Sequence, residues 1–185
     1  MRKLIAWAFM YSVDGLLPDE GTEYWKFCFG LPIDPAEQKQ KLDVIEGAYA
    51  HIMGRTTYEG MALALPTGNH PFSGVMNAAR KVVFSRTMKT AEWANTSIAA
   101  GDTTDEIDKL RQGDDGHILV WGGVGFWRSL MLLDLIDEFR LDLHPYVAGE
   151  GTRLFDGFPK SYRLDLVSST EFSNGIIGLR YRRHR

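Results

Sequence analysis

Strand-length runs of apolar residues alternate along this chain with stretches of helical periodicity, and most boundaries carry turn or cap chemistry. Lys3 to Ser12 (KLIAWAFMYS) is almost continuously apolar and stops at Asp14-Gly15, which predicts a central strand buried on both faces. Ala48 to Met53, Lys81 to Phe84, His117 to Trp121 and Ile136 to Leu143 repeat the pattern at shorter length. Between them, Asp34-Pro35-Ala36-Glu37 sets an N-cap, a proline at the first helical position and a glutamate three residues after the cap, predicting a helix that ends near Gly47. A second helix starts in Gly54-Arg55-Thr56-Thr57-Tyr58-Glu59, and Thr103-Thr104-Asp105-Glu106 reads as a capping box for a third that stops at Gly113. Phe126/Leu130 and Trp127/Met131 fall at helical spacing and predict a helix over Phe126 to Leu133.

Residues 16 to 33 mix Pro18, Gly21, Gly30 and Pro32 with Tyr24, Trp25, Phe27 and Phe29, and are expected to form a loop whose rings something covers. At the other end, Tyr162 to Phe172 and Ile176 to Arg182 flank Asn174-Gly175, the signature of a hairpin. Strands alternating with helices thus give way to strands alone. The pattern predicts an α/β fold in which a mixed, mostly parallel sheet carries helices on both faces and closes with a C-terminal antiparallel hairpin. With 185 residues, one domain over 1–185 is expected.

Charge and composition exclude more than they propose. A net charge of -3 gives no reason to expect nucleic acid or an anionic membrane as a partner, and Arg180, Arg182, Arg183 and Arg185 read as a solvated basic end. No apolar stretch approaches the roughly 20 residues of a membrane span, and the first residues turn polar too early for a signal peptide, so a cytoplasmic protein is expected. Cys28 is the only cysteine, which rules out an internal disulfide and a zinc site built on cysteines; among Trp25, Phe27 and Phe29 it reads as a buried thiol. His51, His117 and His144 fall in or near strands and read as hydrogen-bonded core or edge residues, with no metal expected.

The chemistry concentrates where a strand runs straight into small residues and a helix. This happens at Gly54-Arg55-Thr56-Thr57 and at Gly122-Gly123-Val124-Gly125. A helix N-terminus offers free backbone N–H groups and a partial positive charge, and glycine lets a phosphate come close, so two such ends suit a pyrophosphate. Arg55 supplies a planar fork and Thr56 and Thr57 hydroxyl donors, while Ser85-Arg86 follows a separate strand with a second guanidinium. Two arginines beside one dinucleotide point to NADPH over NADH, because the 2′-phosphate needs a cationic partner. The spacing is not G-x-G-x-x-G, and the first strand leads into Asp14-Gly15 and a long segment, which disfavours a Rossmann fold.

These segments, in this order, resemble the dihydrofolate-reductase-like superfamily, and in particular stand-alone proteins similar to the C-terminal reductase domain of the bifunctional riboflavin-biosynthesis deaminase-reductase. Ser12-Val13-Asp14-Gly15 looks like the opening of that domain, His51 to Glu59 like the Gly-Arg-x-Thr segment at the NADPH phosphates of dihydrofolate reductases, and Ser85-Arg86 like the element beside the adenosine. Val120-Trp121-Gly122-Gly123 looks like the Gly-Gly turn at the pyrophosphate, and Pro145 with Gly149 to Phe155 like the glycine-rich turn before the last hairpin. The resemblance implies a three-layer α/β/α sandwich, NADPH as cofactor and a homodimer. It also implies hydride transfer to a planar heterocycle, an aminopyrimidine of the riboflavin pathway (5-amino-6-(5-phosphoribosylamino)uracil) or a pterin such as dihydrofolate. The nicotinamide would then lie near Asp14-Gly15, and Trp7, Asp14, Trp25 and Phe27 are the candidate substrate contacts. No side chain is singled out as the proton donor. The alternative from another class is a non-catalytic module that binds NADPH or a small ligand on the same fold.

Overall fold

The structure, a computed structural model, describes every residue except Tyr162 and Arg185. The first residue of the strand expected from Tyr162 and the last arginine of the basic end therefore lie outside the described residues. In chain order the elements are β1 (Leu4–Ser12), β2 (Leu16–Leu17), α1 (Glu23–Gly30), α2 (Pro35–Glu46), β3 (Ala48–Gly54), α3 (Arg55–Ala64), α4 (Ser73–Ala78), β4 (Lys81–Phe84), β5 (Thr96–Ala99), α5 (Thr103–Arg111), β6 (His117–Val120), α6 (Val124–Leu132), β7 (Glu138–His144), β8 (Thr152–Arg153), β9 (Leu164–Glu171) and β10 (Ile177–Arg183). They fall into two units, residues 1–6 with 41–136, and residues 7–40 with 137–185.

The first unit is a parallel α/β layer with strand order β5-β4-β3-β6-β1. Every pair is parallel, with Ile52 of β3 opposite Val82 on one side and Val120 on the other. Ile52, Met53, Val83, Ile118, Leu119 and Val120 are all fully buried, as central parallel strands covered on both faces require. Each such side chain contributes roughly 1.5–3 kcal/mol by leaving water. The third helix starts one residue earlier than the capping box suggested. Asp102 is the N-cap, accepting from the amides of Thr104 and Asp105, while Glu106 is taken up by an ion pair with Lys109. A carboxylate satisfies two orphan donors where the Thr103 hydroxyl would satisfy one. The short α4 and β5 lie in stretches with no clear periodicity and were not predicted.

The second unit is antiparallel. β10 pairs with β7 and with β9, and β2 pairs with β8. Asn174-Gly175 forms the expected hairpin turn, with Gly175 at φ +83° and its N–H donating to the Phe172 carbonyl. At the start of β7, Glu138 is buried and accepts from Arg140 Nε at 2.7 Å and from Arg180 Nε and Nη2 at 2.7 and 2.8 Å. The segment expected to be a loop holds a helix. Thr22 caps α1, its hydroxyl accepting from the Trp25 amide, and the rings of Tyr24 and Phe27 pack on Tyr146 at 5.2 and 4.6 Å. β7 begins at Glu138, two residues after the expected start.

Parallel strands in one unit and antiparallel strands in the other make this the mixed α/β fold with a C-terminal hairpin that the pattern predicts. No helix among the described residues is long and apolar enough to cross a membrane.

Candidate functional site

β3 lies between β4 and β6, and all three are parallel, so Gly54, Ser85 and Trp121 emerge along one edge of the first unit. From Gly54 the chain turns into α3 and proceeds to β4 on one side, while β6 lies on the other side of β3. A crevice between strand ends whose connections diverge is where open α/β sheets take ligands.

Both helices that start at this edge lack side-chain caps. Gly54 caps α3 and Gly123 caps α6 with no side-chain hydrogen bond, and neither first turn holds an acidic residue. By contrast, α1, α2 and α5 have their first amides satisfied by Thr22, Asp34 and Asp102. The short α4, which follows Phe72, also lacks a side-chain cap, but it is at the β3 and β6 ends that two open helix N-termini lie together, the geometry of an anion site.

The two turns touch. Gly123 has φ +80° and ψ +100°, and a Cβ there would lie 2.9 Å from Thr57 Oγ1; one on Gly122 would meet the same side chain at 3.6 Å. Only a glycine takes this backbone at this distance from Thr57 without strain. On the other side of β3, Arg55 donates from Nε to Glu59 at 2.7 Å and from Nη1 to Thr87 Oγ1 at 3.3 Å. Ser85 Oγ accepts from the amides of Thr87 and Met88, a local turn that presents Arg86 to solvent with no partner among the described residues. Thr56 is exposed, Val124 half-buried at the start of α6, and Gly125 open, with nothing within 4 Å of where a Cβ would be. The structure thus brings Gly54, Arg55, Thr56, Thr57, Ser85, Arg86, Gly122, Gly123, Val124 and Gly125 to one edge. Thr87 joins them as the residue that sequence reasoning missed; a hydroxyl two residues after Ser85 was the available signal.

An open groove of about 870 Å³ runs along α3, lined by Arg55, Thr87, Lys89 and Trp93 together with Glu59 and Glu92. Arg55 and Lys89 balance the two carboxylates there, so the groove has no net charge that singles it out for a phosphate, whereas the helix ends offer open amides.

The four residues proposed for substrate all lie in the second unit. Trp7 is 3% exposed, its Nε1 donating to Asp142 at 3.0 Å, its ring stacked on Phe9 and the Arg140 guanidinium 5.2 Å from its centroid. Asp14 accepts from Ser12 Oγ and the Ala148 amide at one oxygen and from the Gly149 amide at the other. The Ser12 bond foremost, then those two amides, hold its carboxyl down at about 2. Trp25 is half-buried, 4.6 Å from the Phe29 ring, and Phe27 packs on Tyr146 and His144. Cys28 is half-buried with its sulfur 3.4 Å from His144 Nδ1. His51 is a core residue whose Nδ1 accepts from the Trp121 indole.

A family model described as the RibD C-terminal domain matches residues 3–178. The chain belongs to this RibD C-terminal domain family. The relatives of this RibD C-terminal domain include the uncharacterized YyaP of Bacillus subtilis strain 168, 29% identical over 136 residues, 70% of this chain and 71% of YyaP. Among solved structures it is similar to a candidate riboflavin biosynthesis protein of Shewanella sp. PV-4, with a TM-score of 0.79 and 22% identity over 99% of each chain. It is also similar to dihydrofolate reductase of Enterococcus faecalis complexed with NADP(H), with a TM-score of 0.64 and 14% identity over 99% of this chain and 97% of the reductase. The RibD C-terminal domain thus has a dihydrofolate-reductase-like fold.

Proposed function

We propose that the chain is an NADPH-dependent reductase passing a hydride to a planar heterocycle of the aminopyrimidine or pterin class. One observation carries the reading: adjacent strand ends, β3 and β6, each feed an uncapped helix, and their turns meet at Gly123 and Thr57. The residues present fit the cofactor. The amides after Gly54 and Gly123 suit a pyrophosphate, with Thr56 and Thr57 adding hydroxyls, and the exposed Arg86, with no partner among the described residues, together with Arg55 suits a 2′-phosphate. NADPH would supply the hydride; the chain binds, orients and shields it. The likeness to a reductase complexed with NADP(H) adds support at the level of fold. The same reading includes a cytoplasmic setting and a homodimer, the latter favoured by β9, whose outer stretch exposes Leu166 and Val167.

A titration with NADPH and NADH, followed by tryptophan quenching on wild type and on Arg55→Ala/Arg86→Ala, tests the cofactor. Preference for NADPH that collapses in the variant is expected; binding of neither nucleotide refutes the reading. Asp14, ionised above about pH 2, is no acid at neutral pH, which favours water as proton donor or a module that binds without turnover. Loss of reduced-nicotinamide absorbance with dihydrofolate or an aminopyrimidine separates these two.

A further inference from the structure

Trp121 is the last residue before the Gly122-Gly123 turn, and it is fastened to β3 twice. Its backbone N–H donates to the Ile52 carbonyl at 2.9 Å, and its indole Nε1 donates to Nδ1 of the adjacent residue, His51, at 2.8 Å. The register explains the reach. His51 stands opposite Leu119, so Trp121 is its diagonal neighbour two residues on, within range of a long side chain on the same face. Both partners are buried, His51 completely and Trp121 at 8% exposure. An indole N–H only donates, so Nδ1 accepts and the neutral ring keeps its proton on Nε2. Burial first, then the neighbouring Lys81 charge, push the imidazole down to about 4, so this tautomer holds throughout the neutral range. The core here fills its space with a directional bond in place of a plain apolar contact. What that bond orients is the start of the turn whose glycine sits against Thr57.

We infer that His51 is a positioning residue for the cofactor site: through the Trp121 indole it sets the path of the Gly122-Gly123 turn and so the aim of the amides that open α6. The inference rests on the reductase reading above and extends it to a residue outside the binding edge.

The test uses the full chain and NADPH, with dissociation constant and Tm measured on each variant. His51→Leu removes the acceptor and is expected to weaken NADPH binding about tenfold, the scale of one buried donor left unsatisfied. His51→Asn puts an amide oxygen near the place of Nδ1 and is expected to recover most of that affinity. In His51→Leu/Trp121→Phe both groups are apolar, so Tm returns towards wild type while affinity stays reduced. The indole N–H resonance of Trp121 is expected to exchange slowly in wild type and His51→Asn and fast in His51→Leu. If affinity follows Tm across the set, or His51→Leu binds as wild type does, the positioning role is overturned and the reductase reading stands. If wild type binds neither nucleotide, both fall.

Discussion

Gly123 is the position at which the site geometry is most exposed to a single methyl group. Replacing it with alanine forces an L-residue into φ +80°, ψ +100°, outside even the left-handed helical region, at a cost of about 1–3 kcal/mol. The new Cβ also lies 2.9 Å from Thr57 Oγ1, which Thr57 relieves only by rotating its hydroxyl away from the turn. Against this, alanine restricts the unfolded chain and returns about 0.4–1 kcal/mol. The balance is a loss of roughly 2 kcal/mol, or about 4–8 °C in Tm for a chain of this size. Gly125 provides the opposite sign two residues on. It lies inside α6 with nothing within 4 Å of its absent Cβ, so Gly125→Ala is expected to stabilise by up to about 1 kcal/mol through helix propensity. Thermal unfolding of Gly123→Ala, Gly125→Ala and Gly123→Ala/Thr57→Ala gives the answer. The double variant removes the contact but keeps the backbone strain, so it recovers less than half of the loss. A Gly123→Ala protein as stable as wild type, or full recovery in the double variant, refutes the reasoning.

Arg86→Ala alone is expected to weaken NADPH about 10-fold or more while leaving NADH binding and Tm unchanged, because the side chain is exposed and has no partner among the described residues; parallel titrations check it. Glu138→Gln leaves Arg140, 14% exposed, beside a neutral group; burial raises the Glu138 carboxyl, but the Arg180 and Arg140 guanidiniums outweigh it and hold it ionised. The variant is expected to lose roughly 3 kcal/mol, a fall on the order of 10 °C by calorimetry. Asp14 is held down at about 2 in the folded state against the 3.8 of an ordinary aspartate, so its contribution is complete above the higher value and is lost as pH falls through the lower. Hydrogen exchange at the Ala148 and Gly149 amides should stay slow down to that range in wild type and be fast at neutral pH in Asp14→Ala.

What could be read from the sequence was local and polar. Asp34, Pro35 and Glu37 mark a helix start because cap chemistry is decided within four residues, and Asp34 Oδ1 does accept from the amides of Ala36 and Glu37. Asn174-Gly175 marks a turn because one positive φ is needed there. The cofactor candidates were legible for the same reason: each sits within a few residues of a strand end, and parallel pairing then brings those ends to one edge. The helix α1 was not legible, since Thr22, its cap, stands in a segment crowded with glycine, proline and rings that suit a loop equally well.

The candidate substrate residues show where one-dimensional reading stops. Trp7 and Asp14 are candidate contacts by the resemblance, Trp7 as a roof for a flat heterocycle and Asp14 by its place beside the nicotinamide, and would offer a ring face and a carboxylate. In the fold those capacities are already engaged, by Asp142 and Arg140 for the indole and by Ser12, Ala148 and Gly149 for the carboxylate. Their partners lie more than a hundred residues away, apart from Ser12, and nothing in the spacing announces them. A residue type says what a side chain is able to bind, whereas only the tertiary structure says whether it is still open. Arg86 and Asp14 make the contrast directly: both sit just beyond a strand in a turn held by a serine hydroxyl, yet the turn at Ser85 presents the guanidinium to solvent and the one at Ser12 delivers the carboxylate to the protein's own amides. Discrimination between nucleotides is therefore expected to track Arg86, and the order of the 146–149 turn to track Asp14.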